Sequence, residues 1–97
     1  MEMLVSEARV ETAMSRRYLA QLCKHFQHKL PVRLTEADGR IEFAAGVCTL
    51  NADNNSLLLR VTASDDAALS RLEEVVARHL ERFAFHDKPE VRWQRAA

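Results

Sequence analysis

Apolar and polar residues alternate over residues 4–10, where Leu4, Ser6, Ala8 and Val10 share one parity and Val5, Glu7 and Arg9 the other. This is the pattern of a half-buried strand. Past it the period changes. Leu19, Leu22, Cys23 and Phe26 fall within an arc of about 100° at helical spacing, which predicts an amphipathic helix over residues 14–29. Thr12 can cap that helix by accepting from a free N–H of its first turn. Leu30-Pro31 should stop it, because the residue before proline disfavours helical geometry.

Alternation then returns. Val32 and Leu34 alternate with Arg33 and Thr35, Ala37-Asp38-Gly39 supplies a turn, and Ile41 and Phe43 alternate with Arg40 and Glu42. After Ala44-Ala45-Gly46 the inward parity passes to Cys48, Leu50 and Ala52, which predicts either a bulge or a tight turn at the glycine. Asp53-Asn54-Asn55 is a further turn, and Leu57, Leu59, Val61 and Ala63 form the clearest strand. Ser64-Asp65-Asp66 opens a second helix with a capping oxygen and acids at the positive end of its dipole. Leu69, Leu72, Val76, Leu80 and Phe83 share one face of residues 65–85, and Val91 and Trp93 suggest a last strand.

The predicted order is β-α-β-β-β-α-β. Both helices are one-sided and most strands alternate, so the expected fold is α+β: a two-layer sandwich with two helices on one face of a mostly antiparallel sheet of four or five strands. Ninety-seven residues is the size of one domain, expected to span residues 1–97. Charge balances at 14 basic against 14 acidic residues, which argues against a nucleic-acid partner, since phosphate binding is driven by a basic excess. No apolar run approaches the roughly 20 residues of a bilayer span. The first residues, with Glu2 and Glu7, lack the basic start and apolar centre of a signal peptide. The expected location is the cytoplasm, with Cys23 and Cys48 as reduced thiols.

Chemistry has little to build on. Two glycines, Gly39 and Gly46, cannot make a phosphate-binding loop or a dinucleotide fingerprint, and there is no Cys-x-x-Cys or His-Glu-x-x-His. No cofactor is expected. Cys23 lies in the apolar arc of the first helix, Cys48 has inward parity, and His79 falls within the apolar stripe of the second helix. The plain reading makes these three core residues. The sharper one is a metal- or thiol-dependent site between the layers, one ligand short of the usual zinc set. A second candidate is the edge of the first helix, with Tyr18, His25 and His28. The basic groups there also suit the negative end of the helix dipole. A third is the outer sheet face, where Arg33, Arg40, Arg60 and Arg92 collect with Glu42, Thr49, Thr62 and Leu58. It reads either as an anion-binding or subunit-pairing surface, or as the solvated side of an antiparallel sheet.

Three stretches carry a family resemblance. They are Arg17-Tyr18-Leu19-x-Gln21-Leu22-Cys23-Lys24-His25-Phe26-x-His28-Lys29, then Gly39-Arg40-Ile41-x-Phe43 with Gly46-x-Cys48-x-Leu50, and finally His79-Leu80-Glu81-Arg82-Phe83-Ala84-Phe85 before a strand with Trp93. In this order they resemble the bacterial domain-of-unknown-function family 2218, over about Leu4 to Trp93. Similar domains occur alone or joined to siderophore-interacting flavoproteins. The resemblance thus implies an accessory role in iron acquisition, with a siderophore-interacting reductase as the source of any redox chemistry. The expected function is a non-catalytic binding or accessory module, acting on a protein partner or as a homodimer, with no membrane role. The alternative is the small metal or thiol site.

Overall fold

The computed structural model describes residues 3–84 and 87–96. Its elements run β1 (Leu4–Glu11), α1 (Ser15–Phe26), β2 (Val32–Leu34), β3 (Asp38–Phe43), β4 (Gly46–Ala52), β5 (Ser56–Ala63), α2 (Asp66–Phe83) and β6 (Gln94–Arg95). The strands form a six-stranded sheet of order β2-β3-β4-β5-β1-β6, antiparallel at every pairing. Both helices pack on one face: α1 against β2 to β5, and α2 against β1, β4 and β5. The two-layer α+β sandwich expected from periodicity is therefore present, with six strands rather than four or five.

The extra strand comes from Ala44-Ala45. Phe43 pairs with Gly46, so the parity switch is a two-residue hairpin and the chain has four strands between its helices. Neither alanine takes a positive φ, and Gly46 is not there for a turn. A Cβ on it would run into the Thr62 carbonyl oxygen and approach Leu72 Cδ1 to 2.8 Å. Gly39 tells the same story. The turn before β3 closes two residues earlier than expected, with Thr35 N–H donating to Asp38 O at 2.8 Å. Gly39 itself is in the strand, where a Cβ would stand 2.5 Å from Cys23 Sγ. Gly39 is a site of close approach between the layers, and Gly46 one of close approach both to the neighbouring strand β5 and to α2.

Inward rows cross the sheet as the alternation requires. Ala8, Leu59 and Leu50 form one with Gly39, and Ser6, Val61, Cys48 and Ile41 another. Leu19, Leu22 and Cys23 of α1 and Leu69, Leu72, Val76 and Leu80 of α2 close over them, each at most 2% exposed. Burial of one leucine of this kind contributes about 2 kcal/mol, which is why one-sided helices settle on this face.

Element ends differ in instructive ways. α1 stops at Phe26 rather than at Lys29. The N–H groups of Lys29 and Leu30 both turn back to Phe26 O, at 3.1 and 2.9 Å. Thr12 does not cap the helix. Its hydroxyl accepts from Met14 N–H at 3.0 Å, ahead of the first turn. Asp65 caps α2 as expected, accepting from Ala68 N–H at 2.8 Å. Residues 88–93, including Val91 and Trp93, are irregular, and pairing with β1 is confined to Gln94 and Arg95. Arg95 compensates by reaching α2, where its guanidinium donates to Asp66 Oδ1 at 2.9 Å and Ser70 Oγ at 2.6 Å. Phe85, with which the sequence ended the second helix, and His86, which follows it, lie outside the described residues.

Candidate functional site

The seam between α1 and α2 gathers more chemistry than any other part of the described surface. At one end stands Asp87, brought beneath the start of α1 by the turn that follows α2. There Ala84 O accepts from Asp87 N–H at 3.0 Å and from Lys88 N–H at 2.8 Å. Lys88 has a φ of 45°, a left-handed conformation that reverses the chain at this point. Thr12 Oγ1 donates to Asp87 Oδ2 at 2.6 Å, and Tyr18 Oη donates to the same oxygen at 3.2 Å. Thr12 and Tyr18 are 7% and 5% exposed. Burial, and then the Asp87 carboxylate, push the Tyr18 phenol up from its ordinary value, so it stays a donor. Beside this cluster lies a cavity of about 270 Å³ lined by Met14, Arg17, Tyr18, Phe83 and Asp87. It is a half-open cleft with apolar walls, one cation and one anchored carboxylate, groups able to orient a small molecule.

Phe83 connects that cavity to a second group. Its ring lies 5.7 Å from His25, and the His25 ring is 4.8 Å from His79. Phe26 stands 4.8 Å from His79 and 5.1 Å from Phe43, so the imidazoles rest on an aromatic floor. His79 Nδ1 lies 2.7 Å from Val75 O. An acceptor there requires the proton on Nδ1 and leaves Nε2 as the free nitrogen. Burial first, and then His79, Arg82, His28 and Lys29, lower the pKa of His25. Every charged neighbour in that set is basic.

The expected residue groups are thus redistributed. Tyr18 belongs with Asp87 and Thr12, whereas His25 belongs with His79, and His28 is exposed and acts on His25 through its charge. Cys23 and Cys48 are both free thiols, fully buried. Burial pushes Cys23 up to about 11, and burial with the neighbouring Cys23 pushes Cys48 up to about 12. Such thiols are poor nucleophiles and poor ligands. Among the described residues no group of three or more His, Cys, Asp or Glu is disposed to hold a metal ion.

On the outer sheet face the register aligns Arg33, Arg40, Thr49, Arg60 and Glu7 in one row. Arg60 Nε is 3.8 Å from Glu7 Oε2. Asp38 and Glu42 flank Arg40 on the same parity, so the arginines are interleaved with carboxylates. Arg92 stands apart on the irregular segment and pairs with Glu90 at 2.7 Å. Asp87 is the residue of the seam that the sequence did not single out, whereas Arg17 and Arg82 stood only within the resembling stretches and Phe83 there and in the apolar stripe of the second helix. Asp87 meets Thr12 across 75 residues of chain, and no local pattern carries that signal.

The chain belongs to the family DUF2218, described as uncharacterised and conserved in bacteria, whose model matches residues 7–94. Its fold is similar to the NMR structure of PA4090 from Pseudomonas aeruginosa, with 36% sequence identity and a TM-score of 0.80, over 94% of this chain and 95% of that one. No curated protein matches it. Among the described residues no helix is long and apolar enough to cross a membrane.

Proposed function

We propose that this DUF2218 domain is a non-catalytic binding module whose ligand occupies the α1–α2 seam, and that it serves as an accessory in siderophore-linked iron acquisition. The observation that carries the ligand reading is the cavity of about 270 Å³ beside Asp87, whose Oδ2 accepts from both Tyr18 and Thr12. Two hydroxyl donors fix the carboxylate in place and make it a ready acceptor for a ligand donor. Arg17 offers a cation for an acidic group, while Met14 and Phe83 offer apolar contact for a ring. The arrangement orients a small hydroxylated aromatic acid without transforming it. The iron-acquisition part rests on the company that resembling domains keep, joined to siderophore-interacting flavoproteins. The reductase is the partner this reading names.

The test is a backbone NMR titration with 2,3-dihydroxybenzoate, a catechol of this chemistry. Shifts should concentrate at Met14, Arg17, Tyr18 and Phe83, and should weaken about tenfold in Asp87→Asn, as expected for loss of a charged hydrogen-bond partner. If the probe leaves those residues unmoved, or binds Asp87→Asn as tightly, the cavity is not its site. Co-purification of the domain with a siderophore-interacting reductase tests the accessory role separately.

A further inference from the structure

We infer that the His25–His79 end of the seam is a second site, which takes a multiply charged oxyanion when its imidazoles are protonated. His28 and Lys29 follow on the turn after α1, and His79 and Arg82 project from α2. Phe26 and Phe43 form the floor and Phe83 the wall, and none of them carries charge. No carboxylate is among the groups acting on His25. The acids on the segment after α2 are engaged elsewhere, Asp87 by Thr12 and Tyr18 at the other end of the seam and Glu90 by Arg92.

His79, Arg82, His28 and Lys29 all act against a charge on His25, and an anion joining them would relieve that opposition. The last turns of both helices meet here, and their dipoles favour cations, but that accounts for the placement of the charges rather than for two imidazoles in ring contact. The His79 hydrogen bond to Val75 O adds a direction. With Nδ1 committed to the backbone, protonation adds an Nε2–H donor on the free side of the ring. Two imidazolium donors on an aromatic floor, with Arg82 beside them, match the oxygens of a phosphate or a polycarboxylate. The same nitrogens, when neutral, are metal donors. The surrounding cations oppose a metal ion and favour an anion.

The inference is independent of the cavity at Asp87, and its test reads different atoms. The ring protons of His25 and His79 are followed by NMR from pH 8 to 5 in chloride, phosphate and citrate at equal ionic strength. Binding of phosphate or citrate should raise the His25 midpoint by about one pH unit over chloride. Arg82→Gln, a change at an exposed position, should weaken that response about tenfold. A preference between the two anions assigns the site to phosphoryl or polycarboxylate ligands. Equal midpoints in all three salts would overturn the inference. So would ring shifts produced by zinc chloride at pH 7.5 and undiminished in Arg82→Gln.

Discussion

Raising the pH from 8 to 10 should destabilise this fold through its two buried thiols. Their ordinary pKa is 9.0, and in the fold Cys23 stands at about 11 and Cys48 at about 12. A folded pKa above the unfolded one gives stability that is present below the unfolded value and lost as pH rises past it. At pH 10 the unfolded chain has released nearly all of both protons, while the folded chain keeps most of them. Each thiol then withdraws about 1.4 kcal/mol, or about 3 kcal/mol together. That is a large part of the roughly 5–15 kcal/mol a domain of this size holds in reserve.

The assay is urea unfolding followed by circular dichroism, in the presence of a reductant. The paired measurement is Cys23→Ala/Cys48→Ala. That variant starts lower because it leaves cavities, but its stability should fall about 3 kcal/mol less between pH 8 and 10. Tyr18, whose pKa is also raised, is present in both proteins and cancels in the comparison. Equal slopes would refute the reasoning and show that the thiols ionise in the fold. The interlayer thiolate site considered from the sequence would require that ionisation.

Two further outcomes follow from close contacts and caps. Gly39→Ala should destabilise by about 2 kcal/mol, because its Cβ would meet Cys23 Sγ at 2.5 Å. Combined with Cys23→Ala it should cost clearly less than the sum of the two single changes, a coupling read from a double-mutant cycle of urea midpoints. Asp65→Ala removes the acceptor of Ala68 N–H and should lower stability by about 1 kcal/mol in the same assay. Its effect should leave ligand shifts at Tyr18 and ring titrations at His25 unchanged.

Much of the architecture was legible because burial acts on each element separately. The stripes Leu19–Phe26 and Leu69–Phe83 and the alternation of Leu57 to Ala63 each mark one buried face. Faces of that kind admit few arrangements other than helices on a sheet. Strand count was not legible at Ala44-Ala45. A parity switch is the same string of letters whether the chain bulges or reverses, and only the pairing of Phe43 with Gly46 decides it. The last strand was misplaced for a related reason. Val91 and Trp93 are partly buried against the core, so they carry an apolar signal without ladder pairing.

The candidate site divides along the same line. Composition and spacing singled out His25, His28 and His79 as residues with chemistry to offer, and Tyr18 stood with them as a helix-edge candidate. The same signals also marked Cys23 and Cys48 as inward-facing, because parity and helical angle are properties of single elements. Which of them meet was settled by the packing of α1 against α2 and by the turn at Lys88, which carries Asp87 under Thr12 and Tyr18. A contact between residues 12 and 87 depends on where two helix ends come to rest. That is fixed by how the whole core fills, and no segment of the chain specifies it by itself.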